Sequence, residues 1–138
     1  MLRHRALDYL SGLPAFAAYF GLALLLLAAF VLIYVRVTPY REIQLIRDGN
    51  PAAAASLGGA LIGFALPVAS AIENSVSILD MLMWAAIALV VQLIAFLLVR
   101  LLVPAIASHI QEGKIASGIF LGAASIAIGL LNAASMSW

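Results

Sequence analysis

Apolar stretches of similar length recur along the chain, separated by short polar segments. They run from about Gly12 to Val35, Pro51 to Ile72, Met81 to Val99 and Ile115 to Trp138, and none contains a charged residue. A hydrocarbon core about 30 Å thick is crossed by about 20 helical residues. Each run therefore predicts one transmembrane helix. The first follows Arg3 and Arg5 in the manner of a signal peptide, but its apolar region is too long. The segment behind it, "VRVTPYRE", also offers no small-residue cleavage site, so a permanent helix is expected.

Polar elbows join the first run to the second and the third to the fourth. In the first elbow Thr38 and Pro39 can open a helical turn through "YREIQLIRD" to Gly49, after which Asn50-Pro51 starts the next span. The second elbow repeats the plan with Pro104, "AIASHIQE" and Gly113. Ile43 and Ile46, like Ile106 and Ile110, are spaced to lay an apolar face on the membrane surface. A shift of 64 positions sets Gly49 on Gly113, Leu57 on Leu121, Gly58 on Gly122, Ile62 on Ile126 and Arg36 on Arg100. These matches predict two tandem helix-pair repeats, about 13–75 and 80–138, inside a single transmembrane domain of residues 1–138. With two spans in each, the halves would be parallel rather than inverted.

Small residues crowd the second and fourth runs. "RDGNPAAAASLGGALIGFALPVAS" carries alanines, glycines and Pro67 in an apolar segment, which a soluble helix rarely tolerates. In a bilayer such residues let helix backbones approach. Gly59 with Gly63 and Gly118 with Gly122 form two GxxxG stripes, with Gly58 and Ala54 as a third pair. The stripes fit crossings within one chain or between subunits, and packing of the second span against the fourth is the favoured reading. Pro67 is expected to kink its helix, with a gating hinge as the sharper alternative.

Composition agrees with an all-α integral membrane protein: 66% of the 138 residues are hydrophobic and 9% charged, with a mean hydropathy of +1.17. The formal net charge is +1 and the basic residues are scattered, which leaves no footprint for nucleic acid. Cysteine is absent, so disulfides and thiolate chemistry are excluded. Arg36, Arg41, Arg47, Arg100 and Lys114 lie in or beside the elbows, against Arg3 and Arg5 on the other side. That bias puts the elbows in the cytoplasm and both termini outside.

Candidate chemistry is sparse. Gln92, near the middle of the third run, needs a partner, and an interhelical hydrogen bond to a carbonyl or to Ser125 is the plain expectation. A pore or substrate contact is the functional one. Asn132 could bond the backbone freed by Pro67. Glu73, Asn74 and Asp80 lie between the repeats, either simply solvated or, in an oligomer, ringed around a mouth that concentrates cations. Arg41, Arg47 and Lys114 form a candidate cytoplasmic partner face. No HExxH, Walker lysine or membrane-embedded Ser/His/Asp set occurs, and His4 and His109 fall on opposite sides of the membrane, so no enzyme, metal or cofactor site is expected.

The pairing of "DGNPAAAASLGGALIGFALPVASAIENS" with "EGKIASGIFLGAASIAIGLLNAAS" resembles the YjfL-like family of small bacterial inner-membrane proteins, a domain of unknown function with four spans. The resemblance covers roughly Leu13 to Ser137 and is strongest at Gly49, Gly58 to Gly63, Pro67 and Leu130 to Ala134. It implies a bacterial inner-membrane location and an envelope-stress neighbourhood, but no reaction and no catalytic residues. The expected function is that of a non-enzymatic module that self-associates as a homo-oligomer or recruits a cytoplasmic envelope-stress protein. The alternative is a subunit of a small oligomeric channel or transporter for an ion or small solute.

Overall fold

The computed structural model describes residues 2–136; Met1, Ser137 and Trp138 lie outside the described residues, and with the last two the end of the fourth apolar run. Six helices follow one another: α1 (Leu2–Val37), α2 (Glu42–Arg47), α3 (Pro51–Asn74), α4 (Ile78–Leu102), α5 (Ile106–Gln111) and α6 (Ile115–Ser135). α1, α3, α4 and α6 are long and apolar enough to cross a membrane, and α2 and α5 are the elbows. The helical, four-span membrane architecture legible in the apolar pattern is the one observed. α1 differs in where it starts, ten residues before Gly12. Its 36 residues extend for roughly 54 Å at 1.5 Å each. The first turns, with Arg3, Arg5 and Asp8, therefore continue the helix beyond the thickness of the apolar layer.

Local chemistry sets the helix ends. The Asn50 side chain accepts from Ala53 N at 3.0 Å while Pro51 occupies the first helical turn of α3, where its missing N–H is not needed. Ser77 does the same for α4, accepting from Asp80 N at 3.2 Å. Both elbows end on a glycine in the left-handed region, Gly49 at φ 86° and Gly113 at φ 78°, the conformation that closes a helix at no Cβ cost. Their backbone hydrogen bonds correspond across the 64-residue offset. Asp48 N bonds Gln44 O, Gly49 N bonds Ile46 O and Asn50 N bonds Leu45 O; Glu112, Gly113 and Lys114 bond Ser108, Ile110 and His109 in the same way. Asn50 also joins the two elbows, donating from Nδ2 to Ile110 O at 2.7 Å.

α3 and α6 run parallel at the centre, in contact through their backbones. A Cβ at Gly118 would collide with Ala52, one at Gly59 with Gly122, and one at Gly129 with Gly63. Lipid supplies no hydrophobic force between helices, so this close approach gives the pair its van der Waals attraction. α4 packs across both helices, and α1 lies outermost, with only Phe30 and Tyr34 fully buried among its described residues. Phe30 stacks on Phe64 of α3 at 4.5 Å, and Tyr34 meets the edge of Phe96 on α4 at 6.0 Å.

The elbows thus share one end of the bundle, and Ser77, beyond α3, lies at the other. Cysteines at Gln44 and Ser108, both exposed, are expected to behave alike toward a membrane-impermeant thiol reagent, and one at Ser77 oppositely. From the lysine and arginine bias, the elbow cysteines should be shielded in intact cells and Ser77→Cys labelled. The reverse pattern would invert the topology.

Candidate functional site

Polar groups in the bundle fall at three depths. At mid-depth, Gln92 of α4 is buried and donates from Nε2 to Ser125 O at 3.0 Å, the interhelical bond its position called for. Ser125 Oγ turns back to Leu121 O at 2.9 Å. Gly63 makes room for the amide, since a Cβ there would collide with Ser125 O and Gln92 Nε2. Gln92 Oε1 is left without a partner.

Toward the far end, α3 is continuous through the buried Pro67. A proline at 67 frees the carbonyl four residues back, at Gly63, and Gly129 packs against that carbonyl. Asn132 does not reach it: its Nδ2 is buried without a partner, because Asn132 lies nearly a turn beyond Gly129 along the parallel seam. The neighbouring contact is Ser70 Oγ with Ala133 O at 3.5 Å. Glu73 and Asn74 are exposed. Asn74 donates to Ser70 O at 2.9 Å at the end of α3, and Asp80 accepts from Val76 N at 3.4 Å as part of the α4 start. These three residues lie around one loop, with Asn74 and Asp80 engaged in finishing helices.

The third depth, at the elbow end, holds a polar cluster that hydropathy did not flag. Glu42, the first residue of α2, has 0% of its surface exposed. Thr38 donates its hydroxyl to Glu42 Oε1, while Glu42 Oε2 and Tyr34 Oη are buried without hydrogen-bond partners among the described residues, and the buried Tyr40 phenol meets the Ser56 hydroxyl. Ser56 of α3, also 0% exposed, lies beside Tyr40 and donates to Ala53 O at 3.1 Å. Loss of hydration raises the Glu42 carboxyl to about 7, against the smaller opposing effect of the Thr38 bond. Burial, and then the nearby Glu42, push the Tyr40 phenol above its ordinary range. Beside the cluster, a groove of about 400 Å³ opens between the elbows, lined by Pro39, Tyr40, Arg41, Gln44, Leu45 and Gln111. The arrangement is a buried carboxyl with no ion-pair partner among the described residues, and its available chemistry is to take and release a proton.

The elbows themselves are less superficial than their spacing suggested. Ile106 and Ile110 have no exposed surface and point into the bundle rather than onto a membrane surface, because α5 packs against α6 and α3. Ile43 does remain exposed. Arg41, Arg47 and Lys114 are exposed, with Lys114 paired to Glu112 at 3.2 Å in solvent, a contact worth little. Among the proposed packing glycines, Gly59, Gly63, Gly118 and Gly122 line the seam, whereas a Cβ at Gly58 would meet open space. Gly129 belongs to the seam instead, and its distance of seven residues from Gly122 could have revealed it. Glu42 left no comparable signal, because the non-helical residues 38–41 separate it from Tyr34 on α1 and break any shared helical face.

Comparison with known proteins agrees with this architecture. No solved structure matches the chain. It is 43% identical over 129 residues to the UPF0719 inner membrane protein YjfL of Escherichia coli K12, covering 94% of this chain and 98% of that protein. It is 30% identical over 122 residues to the UPF0719 transmembrane protein YshE of Bacillus subtilis, covering 87% and 91%. Residues 8–136 match the model of the Domain of Unknown Function DUF350. An all-helical chain with four membrane-spanning segments, matched over nearly its whole length, is thus a member of the DUF350 family, to which its resemblance to YjfL had pointed.

Proposed function

We propose that this protein is a non-enzymatic, multi-pass inner-membrane module that self-associates and recruits a cytoplasmic partner through its basic elbows, with both termini outside. The closed seam carries the reading. Gly118 against Ala52, Gly59 against Gly122 and Gly129 against Gly63 bring backbone to backbone at successive levels, and the space that α3 and α6 do leave is an open apolar groove of about 370 Å³ along their flank, lined by alanine, glycine and isoleucine. The surfaces on offer are external: Arg41 at the elbow groove, Arg47 exposed at the end of α2, and the long flank of α1. YjfL's description as an inner membrane protein supports the location, and an envelope-stress partner follows from the family resemblance alone. The matched elbow hydrogen bonds support duplication of a helix pair.

A second reading, a small oligomeric channel or transporter for an ion or small solute, draws on Gln92 Oε1 and Asn132 Nδ2, buried at two depths without partners. One set of variants separates the two. For a recruiting module, Arg41→Glu with Arg47→Glu should reduce partner capture from the native membrane at least several-fold, while Gln92→Leu leaves capture and assembly unchanged. Wild-type protein in liposomes should carry no flux of common monovalent ions. Robust flux lost in Gln92→Leu or Asn132→Leu, and kept on elbow charge reversal, would establish the channel instead.

A further inference from the structure

Glu42 is enclosed at a position where the fold does not need an acid. The corresponding turn of the other elbow, 64 positions on, carries Ile106, which is equally enclosed. Both α2 and α5 are six residues long and end on the same left-handed glycine with the same backbone bonds. An aliphatic side chain thus fills this site in one elbow, and a carboxyl fills it in the other. Enclosing an unpaired carboxylate is costly, and a buried acid without a counter-charge is ordinarily neutralised by a proton.

We propose that Glu42 is a proton-binding site served from the elbow end of the bundle, and that the bound proton holds α2 docked against α3. The groups around it offer no alternative neutralisation. α1 contributes Tyr34, the connection contributes Thr38 and Tyr40, and α3 contributes Ser56, none of them cationic. Arg41 and Arg47 are exposed, and Glu42 forms no ion pair among the described residues. Thr38 occupies Oε1, so Oε2 is the oxygen free to take the proton. The step is proton uptake alone: an O–H bond forms at Oε2 with a proton from water and breaks on release. The groove between the elbows, which has Tyr40 and Arg41 in its lining, brings solvent to the residues that flank Glu42. The carboxyl's elevation to about 7 puts the exchange at neutral pH. When the proton leaves, the carboxylate seeks water and α2 loosens. The site stands independently of the partner-face reading, which would only give the loosening a use.

The test uses the full chain in lipid nanodiscs. Infrared difference spectra across a pH series should show a protonated-carboxyl band with a midpoint near 7 that is absent from Glu42→Gln. Amide hydrogen exchange, corrected for its intrinsic pH dependence, should rise several-fold in α2 above that midpoint. It should stay flat in α2 of Glu42→Gln and in α5 of both proteins, where Ile106 serves as an internal control. A Glu42-dependent band titrating in the ordinary carboxylate range, or none at all, would overturn the proposal. So would equal loosening of α2 and α5. A midpoint that moves with sodium or potassium chloride but not with choline chloride would replace it with a metal-cation site.

Discussion

Gly59→Leu is expected to lower stability in detergent by more than about 4 kcal/mol, the range reserved for gross disruption of packing. Gly122→Leu should act alike. At Gly59 even a single added carbon would overlap the Gly122 backbone, and at Gly122 it would overlap Ala55 O, so no side-chain adjustment can absorb it. The seam would have to part, and with it the Gln92 to Ser125 bond. The adjacent Gly58 is the sharpest control. It points to open space, so Gly58→Leu should shift stability by about 1 kcal/mol or less, with a gain from replacing a helical glycine. Leu26→Ala, on the partly buried flank of α1, should cost less than about 2 kcal/mol. Thermal unfolding of the four variants ranks them directly, and equal tolerance at 58, 59 and 122 would mean that the glycines face lipid.

Glu42→Gln should make the protein more stable above neutral pH and leave it nearly unchanged in mild acid. The sign follows from proton counts. In the unfolded chain the carboxyl releases its proton near its ordinary value of 4.5, whereas the folded protein keeps it until about 7. Between these limits the native state binds more protons, so stability present at low pH is lost as pH rises, by at most about 1.4 kcal/mol per pH unit. Glutamine preserves the shape without the ionisation and should remove this slope. Glu42→Ala should instead destabilise at every pH, since it opens a cavity and deprives the Thr38 hydroxyl of its acceptor. Unfolding midpoints from pH 5 to pH 8 decide between these outcomes, and a wild-type profile as flat as that of Glu42→Gln would contradict the burial of the carboxyl.

The spans were legible because a bilayer imposes a length, and charges mark where each crossing ends. The seam was legible in Gly59, Gly63, Gly118 and Gly122 because only small residues permit backbone contact in lipid. Gly58 and Gly59 could not both serve it, since consecutive residues point about 100° apart around a helix. Glu42 escaped notice for a different reason. In a short amphipathic elbow an acid is ordinarily on the water side, and nothing local to "YREIQLIRD" says that Tyr34, Tyr40 and Ser56 will close over it. That enclosure depends on how α2 folds back on α3, a tertiary fact. The same holds for Ile106 and Ile110, whose apolar face met protein instead of lipid, and for Asn132, whose level along α6 was set by the register of the seam.

The parallel course of α3 and α6 also arranges the backbone dipoles. Both helices start at the elbow end, and each brings the equivalent of about half a positive charge there. Neither carries an acidic residue in its first turn to offset it. α1 and α4 finish at the same end and contribute compensating negative poles of the same size, with Arg36 and Arg100 in their last turns. The four backbone poles therefore nearly cancel, and the positive field at the elbow end comes from arginine and lysine side chains placed beside the helix ends rather than from the winding of the peptide groups.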